Sequence, residues 1–343
     1  MSLNTELGWS EAREEFLKPC KILIITHKNP DGDAVGSALG LKWILGRIGH
    51  TVNVAIPDDS PLFLKWLPGH NEIVVNDRKM TADISTLFNE CDLIICADFN
   101  TPERLGGLEP LYRESGKRTL LIDHHPNGDP FTGYNFIDPT KGSTSELVYL
   151  FIEKMNFAEH IGVEAATCLL AGIMTDTVGL KVNCSYPEVF ETVAALMRIG
   201  ADKDRIYHEI YNTHSANRMR LLGYSLSKNM KILPEYKTAY IALTISELNS
   251  YHHRKGDTEG FVNYPLAIAG IVFSVLFTEQ NDHIKLSLRS TGDFPANKFA
   301  QKYFLGGGHL NAAGGRFPGT MKEAVDRFES VLDEYKELLT SNR

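Results

Sequence analysis

The chain has 343 residues and a formal net charge of −8, with 43% apolar residues, 23% charged residues and no low-complexity tract. This composition is typical of a globular protein, and two domains are expected because a single hydrophobic core rarely grows beyond ~250–300 residues. The acidic balance argues against a protein that coats long duplex nucleic acid with a basic face. No apolar run approaches the ~18 residues that span a bilayer, and the polar N-terminus lacks the pattern of a signal peptide, so we expect no membrane partner.

The five cysteines are odd in number and form no CxxC pair. Cys96 and Cys168 lie inside apolar segments. This usage favours reduced, buried thiols and a cytoplasmic location.

The first half of the chain alternates short apolar runs with helical patterns. Strands are predicted over residues 21–26, 51–56, 92–98 and 119–123, and helices over 34–49, 143–155 and 164–177. In the first helix, Val35, Ala38, Leu41, Leu45 and Ile48 share one face. Strands with little alternation that are joined through helices indicate a parallel sheet covered on both faces.

The second half begins with a long, charged helical pattern and then returns to strands. Residues 187–230 are predicted to be a helical connector, followed by strands over 238–245, 270–280 and 284–291 and a final helix over 321–339. The polar "NDH" between the last two strands indicates a hairpin. The sequence thus predicts an α/β protein with a parallel-sheet domain (1–186), the connector, and a smaller mixed-sheet α/β domain (231–343).

Polar residues cluster where the predicted strands of the first domain end. Because the ligand crevice of an open parallel sheet lies at the carboxyl ends of its strands, residues far apart in sequence should converge there. The candidates, including one acid after an apolar helix, are His27, Asp31, Asp33, Asp98, Asp123, His124, His125 and Asp176.

Each of these residues has an alternative explanation when taken alone. "PDGDA" is also typical of a turn with a helix N-cap, and an Asp at a strand end such as Asp98 can cap a loop. An EF-hand is disfavoured because Ala34 stands where its loop requires Gly. Several carboxylates close together cannot all stay ionised without a cation, so the joint pattern favours a metal site.

The expected ligands are oxygen-rich, with some nitrogen and no sulfur. Such a set suits Mn²⁺ best, with Mg²⁺ or Co²⁺ as alternatives. Six good ligands among these candidates are too many for one open site and suit two ions. A pair of divalent ions can activate water for attack at phosphorus.

Five segments, in this order, carry a resemblance to a known family. "THKNPDGDAVGS", "CADF", "IDHHPN" and "MTDT" resemble the four motifs of the DHH phosphoesterase superfamily, and "GGGHLNAAGG" resembles the signature of its DHH-associated C-terminal domain. The version with this signature occurs in oligoribonucleases and RecJ-type exonucleases. The resemblance extends from about residue 21 to residue 317.

The resemblance implies a role for each of these residues. His27 and Asp31 would bind one metal ion, Asp33 the other, Asp98 and Asp176 both, and His124 would be a further ligand, while Asp123 would orient the site and His125 would face the substrate phosphate. Asp98, Asp123 and His125 would thus be the catalytic residues. One departure stands out: the oligoribonuclease branch would have Gly directly after the Asp-Thr of "MTDT", and here Val178 precedes Gly179.

Two features of the second domain are candidates for substrate binding. In "IKLSLRS" apolar and polar residues alternate, which is also typical of a sheet with one solvated face. The resemblance indicates Arg289 as a substrate residue, and its guanidinium can bind phosphate through two donors. The glycines before His309 allow backbone N–H groups to approach an anion, although a tight flexible loop is an alternative. The resemblance implies that Arg289, Gly307, Gly308 and His309 bind the terminal phosphate or nucleotide opposite the metals.

The implied activity is hydrolysis of short oligoribonucleotides to mononucleotides, of 3′-phosphoadenosine 5′-phosphate (pAp) to AMP, or of both. Alternatives with the same chemistry are an exopolyphosphatase or pyrophosphatase, which "GGGH" disfavours, and a phosphodiesterase for linear or cyclic dinucleotides. A nucleotide sensor without turnover is disfavoured because no ligand of the four motifs is missing. The expected partners are short RNA and nucleotides, and whether the chain forms a homodimer is left open.

Overall fold

The computed structural model describes residues 13–14, 16–76, 81–126, 131–254 and 256–341. The chain divides into two compact units, residues 1–213 and 214–343. The polar residues 1–12, on which the signal-peptide prediction rests, and Asn127 of "IDHHPN" lie outside the described residues.

A parallel sheet forms the centre of the first unit, as predicted. It has six strands where the sequence predicted four, in the order β3-β2-β1-β4-β5-β6. The strands are β1 (Lys21–Ile25), β2 (Thr51–Ile56), β3 (Val74–Val75), β4 (Leu93–Ala97), β5 (Arg118–Asp123) and β6 (Tyr134–Ile137). The sequence did not predict β3 and β6. They have two and four residues, too few for a hydrophobic period to show.

Helices cover both faces of this sheet. They are α1 (Gly32–Ile48), α2 (Thr81–Glu90), α3 (Glu109–Ser115), α4 (Thr144–Lys154), α5 (Val163–Asp176), α6 (Pro187–Ile199) and α7 (Lys203–Tyr211). Along β1, Ile22 and Ile24 belong to one hydrophobic core, and Leu23 and Ile25 to another. Burial on both faces explains why the strands read as continuous apolar runs.

Helices α1 and α5 pack very closely. Gly32, Gly36 and Gly40 of α1 face α5, and a Cβ atom on Gly36 would lie 2.6 Å from the carbonyl oxygen of Cys168. The helix is therefore buried on the glycine side as well as on the predicted face of Val35 and Leu41. This approach brings the start of α1 close to the end of α5.

The second unit contains a six-stranded mixed sheet of order β11-β12-β10-β9-β8-β7, in which β8 and β9 are parallel and the other pairs antiparallel. The predicted hairpin is confirmed as β9–β10. The helices and strands of the second unit are α8 (Ala216–Tyr224), β7 (Met230–Leu233), β8 (Thr238–Leu243), α9 (Ile245–Ser250), β9 (Phe273–Glu279), β10 (Ile284–Ser290), α10 (Ala296–Tyr303), β11 (Gly307–His309), β12 (Ala312–Phe317), α11 (Met321–Val331) and α12 (Lys336–Ser341). The predicted final helix is thus split, with a 3₁₀ turn at Leu332–Tyr335 between α11 and α12.

All five cysteines are thiols, and Cys96 and Cys168 are fully buried, as the sequence predicts. Among the described residues, none of the helices combines the length and the apolar character needed to cross a bilayer.

The α1–α5 contact generates a stability prediction. Gly36→Ala should lower the free energy of unfolding by about 1–3 kcal/mol, because the new methyl group would meet the backbone of α5. Gly46→Ala in the same helix is the matched control. A Cβ there has open space, and we expect an increase of up to about 1 kcal/mol from helix propensity. Urea unfolding of both variants measures the difference, and equal stabilities would contradict the close packing.

Candidate metal centre

The loop after β1 contributes a buried imidazole. His27 is 4% exposed, and its Nδ1 donates a hydrogen bond to the carbonyl oxygen of Lys28 at 2.9 Å. Its Nε2 lies 3.4 Å from Oδ2 of Asp98 and makes no hydrogen bond among the residues that the structure describes. Burial lowers the pKa of His27, which favours the neutral form that binds metal ions.

Asp31 caps a helix and also lies beside another candidate ligand. Its Oδ1 caps α1 by accepting hydrogen bonds from the backbone N–H groups of Asp33 and Ala34, both at 3.1 Å. The same oxygen lies 3.9 Å from Nε2 of His27. A helix cap therefore does not remove Asp31 from the candidate ligand set.

Asp98 follows β4 in a left-handed backbone conformation, with φ of 69°. A non-glycine residue there costs roughly 1–3 kcal/mol, a strain that concentrates at functional sites. Its carboxylate is buried, and Oδ1 accepts a hydrogen bond from the hydroxyl of Thr144 at 2.9 Å.

The residues that end β5 separate into two roles. Asp123 Oδ1 lies 2.8 Å from Nδ1 of His125, so this carboxylate orients His125. His124 instead donates from Nδ1 to the carbonyl oxygen of Lys141 at 3.2 Å. Its Nε2 lies 3.2 Å from Oδ2 of Asp176, at the end of α5.

The first turn of α4 binds the carboxylate of Asp33. The backbone N–H of Thr144 donates to Oδ2 at 2.6 Å, and that of Ser145 donates to Oδ1 at 2.8 Å. A helix N-terminus stabilises negative charge through its free N–H groups and its dipole. Asp33 is fully buried and lies 3.9 Å from Nε2 of His124.

Among the described residues of the first unit, the acids and imidazoles of the cluster form three compact groups in which all potential ligand atoms lie within 4.8 Å of one another. These groups are His27 with Asp31 and Asp98, Asp33 with His124 and Asp176, and Asp98 with Asp123 and His125. Asp98 belongs to two of them, and its Oδ1 is 3.7 Å from His124 in the remaining one.

The electrostatics of the cluster call for a cation. Burial, together with the charges of Asp98 and Asp176, raises the pKa of Asp33 well above its usual value. Burial and the neighbouring carboxylates do the same for the pKa of Asp98. Burial opposes protonation of His124, but its hydrogen bond to Asp176 and the surrounding carboxylates outweigh this and raise its pKa. The unpartnered Nε2 of His27 and this excess of buried acids fit divalent metal ions held by oxygen and nitrogen.

One short segment, residues 141–146, supports several candidate ligands at once, and the sequence analysis missed it. Gly142 N–H donates to the hydroxyl of Tyr186 at 2.6 Å and to Oε2 of Glu146 at 3.2 Å, and Tyr186 donates to Glu146 at 2.5 Å. Glu146 is fully buried. The segment acts through the carbonyl of Lys141, the backbone N–H groups of Thr144 and Ser145 and the hydroxyl of Thr144. Such groups are common in any sequence, so no motif identifies the segment.

Arg104 is a second residue that the sequence reasoning missed. It lies half-buried after β4. Burial has the largest effect on the pKa of His27 and lowers it, the charge of Asp31 raises it, and the charge of Arg104 is the third influence and lowers it. Its carbonyl oxygen accepts a hydrogen bond from the backbone of Lys28 at 2.6 Å. Its positive charge therefore acts on the candidate ligand His27.

The candidate substrate residues of the second unit lie on neighbouring strands. Arg289 of β10 is directly opposite Ala312 of β12, which is in turn opposite His309 of β11. Gly307 and Gly308 belong to β11, so this stretch is a strand and not the flexible loop considered as an alternative. Gly308 has φ of 139°, and a Cβ there would lie 2.5 Å from the carbonyl oxygen of Ala312.

The loop after Asp176 is strained at the position where the sequence departs from the family pattern. Val178, Gly179 and Leu180 all have left-handed backbones, with φ of 50°, 72° and 65°. Thr177 ties the loop together, because its hydroxyl donates to the carbonyl of Ile173 and accepts from the N–H of Leu180. Position 178 thus favours Gly conformationally, and Val occupies it under strain.

Val178→Gly should therefore leave the protein as stable or stabilise it by up to about 1 kcal/mol, because relief of the left-handed strain offsets the added freedom of the unfolded chain. Val182→Gly is the control in the same loop, at a residue that is 45% exposed and has no left-handed backbone. It should lose about 0.5–1 kcal/mol. Thermal unfolding compares the two, and a larger loss for Val178→Gly than for Val182→Gly would refute the strain.

Comparisons with known proteins match segments of both units to known domains. Residues 21–173 match the DHH family, N-terminal domain, and residues 238–340 match the DHHA1 domain. The crystal structure of an exopolyphosphatase-related protein from Bacteroides fragilis is 42% identical, covers 98% of both chains and superposes with a TM-score of 0.93.

Two relatives with named activities are more distant in sequence. The bifunctional oligoribonuclease and PAP phosphatase NrnA of Thermus thermophilus is 28% identical over 97% of this chain and 95% of its own length. The cyclic-di-AMP phosphodiesterase GdpP of Geobacillus thermodenitrificans is 26% identical over 95% of this chain, which spans 49% of that protein. With both domain matches and a 42% identical structure over nearly its whole length, the chain belongs to the DHH family and combines an N-terminal DHH domain with a DHHA1 domain.

Proposed function

We propose that the chain is a metal-dependent phosphoesterase that hydrolyses short oligoribonucleotides to mononucleotides and pAp to AMP. The observation that carries this proposal is the set of three ligand groups linked through Asp98. The NrnA relative is similar over nearly the full length of both chains, and the oligoribonuclease and PAP phosphatase activities in its name support the choice of substrates.

The metal ligands in this proposal are His27, Asp31, Asp33, Asp98, His124 and Asp176. Two divalent ions bound there, with Mn²⁺ favoured by the ligand chemistry, would supply Lewis-acid charge and an activated water for attack at phosphorus. The protein's own contribution is orientation. The carbonyl of Lys141 holds the proton of His124 on Nδ1, which leaves Nε2 as the ligand atom.

His125 has a different role in the proposal. Its Nδ1 is held by Asp123, which fixes the ring and leaves Nε2 for proton transfer to the leaving oxygen or for contact with the phosphate. In the second unit, Arg289, Gly307, Gly308 and His309 provide cationic and backbone groups for the terminal phosphate or nucleotide. We assign residues 1–186 to catalysis, 187–230 to the connector and 231–343 to substrate binding.

A second candidate substrate is inorganic polyphosphate, because the 42% identical structure is described as exopolyphosphatase-related. The GdpP relative likewise keeps dinucleotides in consideration. A panel of RNA trimer, pAp, dinucleotides, pyrophosphate and tripolyphosphate with Mn²⁺ separates these activities. We place the protein in the cytoplasm because its cysteines are all thiols.

Asp98→Ala tests the centre of the cluster. With Mn²⁺ and a 5′-labelled RNA trimer, we expect mononucleotide release to fall by about a thousandfold or more, equivalent to a barrier increase of ~4 kcal/mol. Asp92→Ala is the matched control at the exposed opposite end of the same strand, where the carboxylate accepts a hydrogen bond from the backbone of Lys21. It should retain activity within about twofold. Wild-type protein without metal-dependent release would end the oligonucleotide proposal.

Tyr186→Phe tests the support from residues 141–146. Loss of its hydroxyl removes a bond to Gly142 and one to Glu146, so we expect Mn²⁺ affinity to weaken about 10–100-fold. Isothermal titration of the metal-free protein measures this without turnover.

Tyr149→Phe is the control for that experiment. Tyr149 likewise donates to a Glu, Glu153, but it lies further along α4 and has no hydrogen bond to the candidate ligands among the described residues. Its Mn²⁺ affinity should equal that of the wild type. If both variants bind Mn²⁺ like the wild type, Tyr186 has no positioning role.

A further inference from the structure

The end of α5 places Asp176 where a helix disfavours an acid. Asp176 is the final residue of α5, at the negative end of the helix dipole. Its side chain is 27% exposed, whereas those of Asp33 and His124, the other members of its ligand group, are 0% and 4% exposed. Burial therefore constrains this carboxylate less than the other two side chains, and its position depends on what holds the end of α5.

A tyrosine hydroxyl from α7 holds the end of α5. The carbonyl oxygen of Met174 accepts hydrogen bonds from the N–H of Gly179 at 2.7 Å and from the hydroxyl of Tyr211 at 2.8 Å. The N–H of Gly179 also donates to the Tyr211 hydroxyl. Burial is the largest effect on the pKa of Tyr211 and raises it, with further increases from Tyr207 and from the charge of Asp176. The hydroxyl therefore stays protonated and bridges backbone groups before and after Asp176.

The loop that this hydroxyl contacts is strained. Val178, Gly179 and Leu180 all have left-handed backbones, and such strain persists only where the surroundings over-determine the conformation. The hydroxyl of Thr177 bonds within the same segment, to Ile173 and Leu180. Tyr211 instead belongs to α7, so its hydroxyl ties the loop to a different helix.

Tyr207 lies one turn before Tyr211 in α7 and separates packing from hydrogen bonding. The centroids of the two rings are 4.9 Å apart. Both rings pack on the loop, because a Cβ atom on Gly179 would lie 3.1 Å from Cε2 of Tyr207 and 3.7 Å from Cε2 of Tyr211. Among the residues that the structure describes, the hydroxyl of Tyr207 makes no hydrogen bond. The two tyrosines thus share their packing on the loop and differ in what their hydroxyls do.

We propose that Tyr211 is a positioning residue that holds Asp176 in place for metal binding, through the end of α5 and the loop after it. The inference rests on the metal ligands of the proposed function and extends them with a residue of the connector. Tyr211 ends α7, two residues before the first unit ends at residue 213. The last turn of the connector helix and a metal ligand are therefore joined by one hydroxyl.

Tyr211→Phe removes the hydroxyl and keeps the ring. Groups that orient metal ligands typically contribute about 10–100-fold to metal affinity, and we expect the Kd for Mn²⁺ to rise about tenfold in isothermal titration of the metal-free protein. Tyr207→Phe is the matched control in the same ring pair, and its Kd should stay within about twofold of the wild type. Thermal unfolding of both variants verifies folding.

A double-mutant cycle with Asp176→Asn distinguishes positioning from general loosening of the structure. If Tyr211 acts through Asp176, adding Tyr211→Phe to Asp176→Asn should change the Kd for Mn²⁺ by less than about twofold, because the carboxylate that the hydroxyl positions is already gone. A merely structural role of Tyr211 would weaken Mn²⁺ binding equally in both backgrounds.

Two outcomes overturn the inference: a Kd of Tyr211→Phe equal to that of Tyr207→Phe, or an equal loss of affinity with and without the Asp176 carboxylate. The proposed function fails separately, because these titrations involve no turnover. Wild-type protein that binds Mn²⁺ in the Tyr211-dependent way and hydrolyses neither the RNA trimer nor pAp contradicts the proposed function alone. Wild-type protein that binds no Mn²⁺ contradicts both.

Discussion

The bond between the carboxylate of Asp33 and the first backbone N–H groups of α4 is the constraint on which the candidate site depends. A fully buried carboxylate beside Asp98 and Asp176 is unfavourable unless donors and a cation compensate its charge. The α4 N-terminus supplies the donors, and its Thr144 hydroxyl also binds Asp98. One helix start thus positions an acid from the first turn of α1 and an acid from the end of β4.

Close helix packing makes this arrangement available. Gly36 lets α1 approach the backbone of α5, and these two helices carry Asp33 and Asp176 at adjoining ends. The hydrogen bond from half-buried Tyr186 to buried Glu146 then fixes the segment whose carbonyl orients His124. Strain at Asp98 and at Val178 is concentrated beside the same cluster, which is where a structure tolerates it for function. Stability and site geometry therefore depend on the same interactions.

The sequence predicted the elements with a regular hydrophobic pattern and the residue types that can bind metal ions. The long apolar strands, the α1 pattern, the β9–β10 hairpin and the ligand types at strand ends all follow from local periodicity and residue type. Strands β3 and β6 and the break after α11 escaped because they are short or depend on neighbours. Tyr186 and Arg104 escaped because a single tyrosine or arginine has no pattern. The domain boundaries and residue roles stay predictions.

By itself, the sequence determined that an α/β chain would bring acids and imidazoles to one sheet edge, because side-chain chemistry and strand periodicity are local properties. Only the tertiary structure decided which atoms meet: that Asp123 pairs with His125 and not with His124, that Asp31 is both cap and neighbour of His27, and that Lys285 lies opposite Arg316. These pairings are set by helix approach and strand register. Such quantities arise from packing between distant segments, which no local pattern encodes.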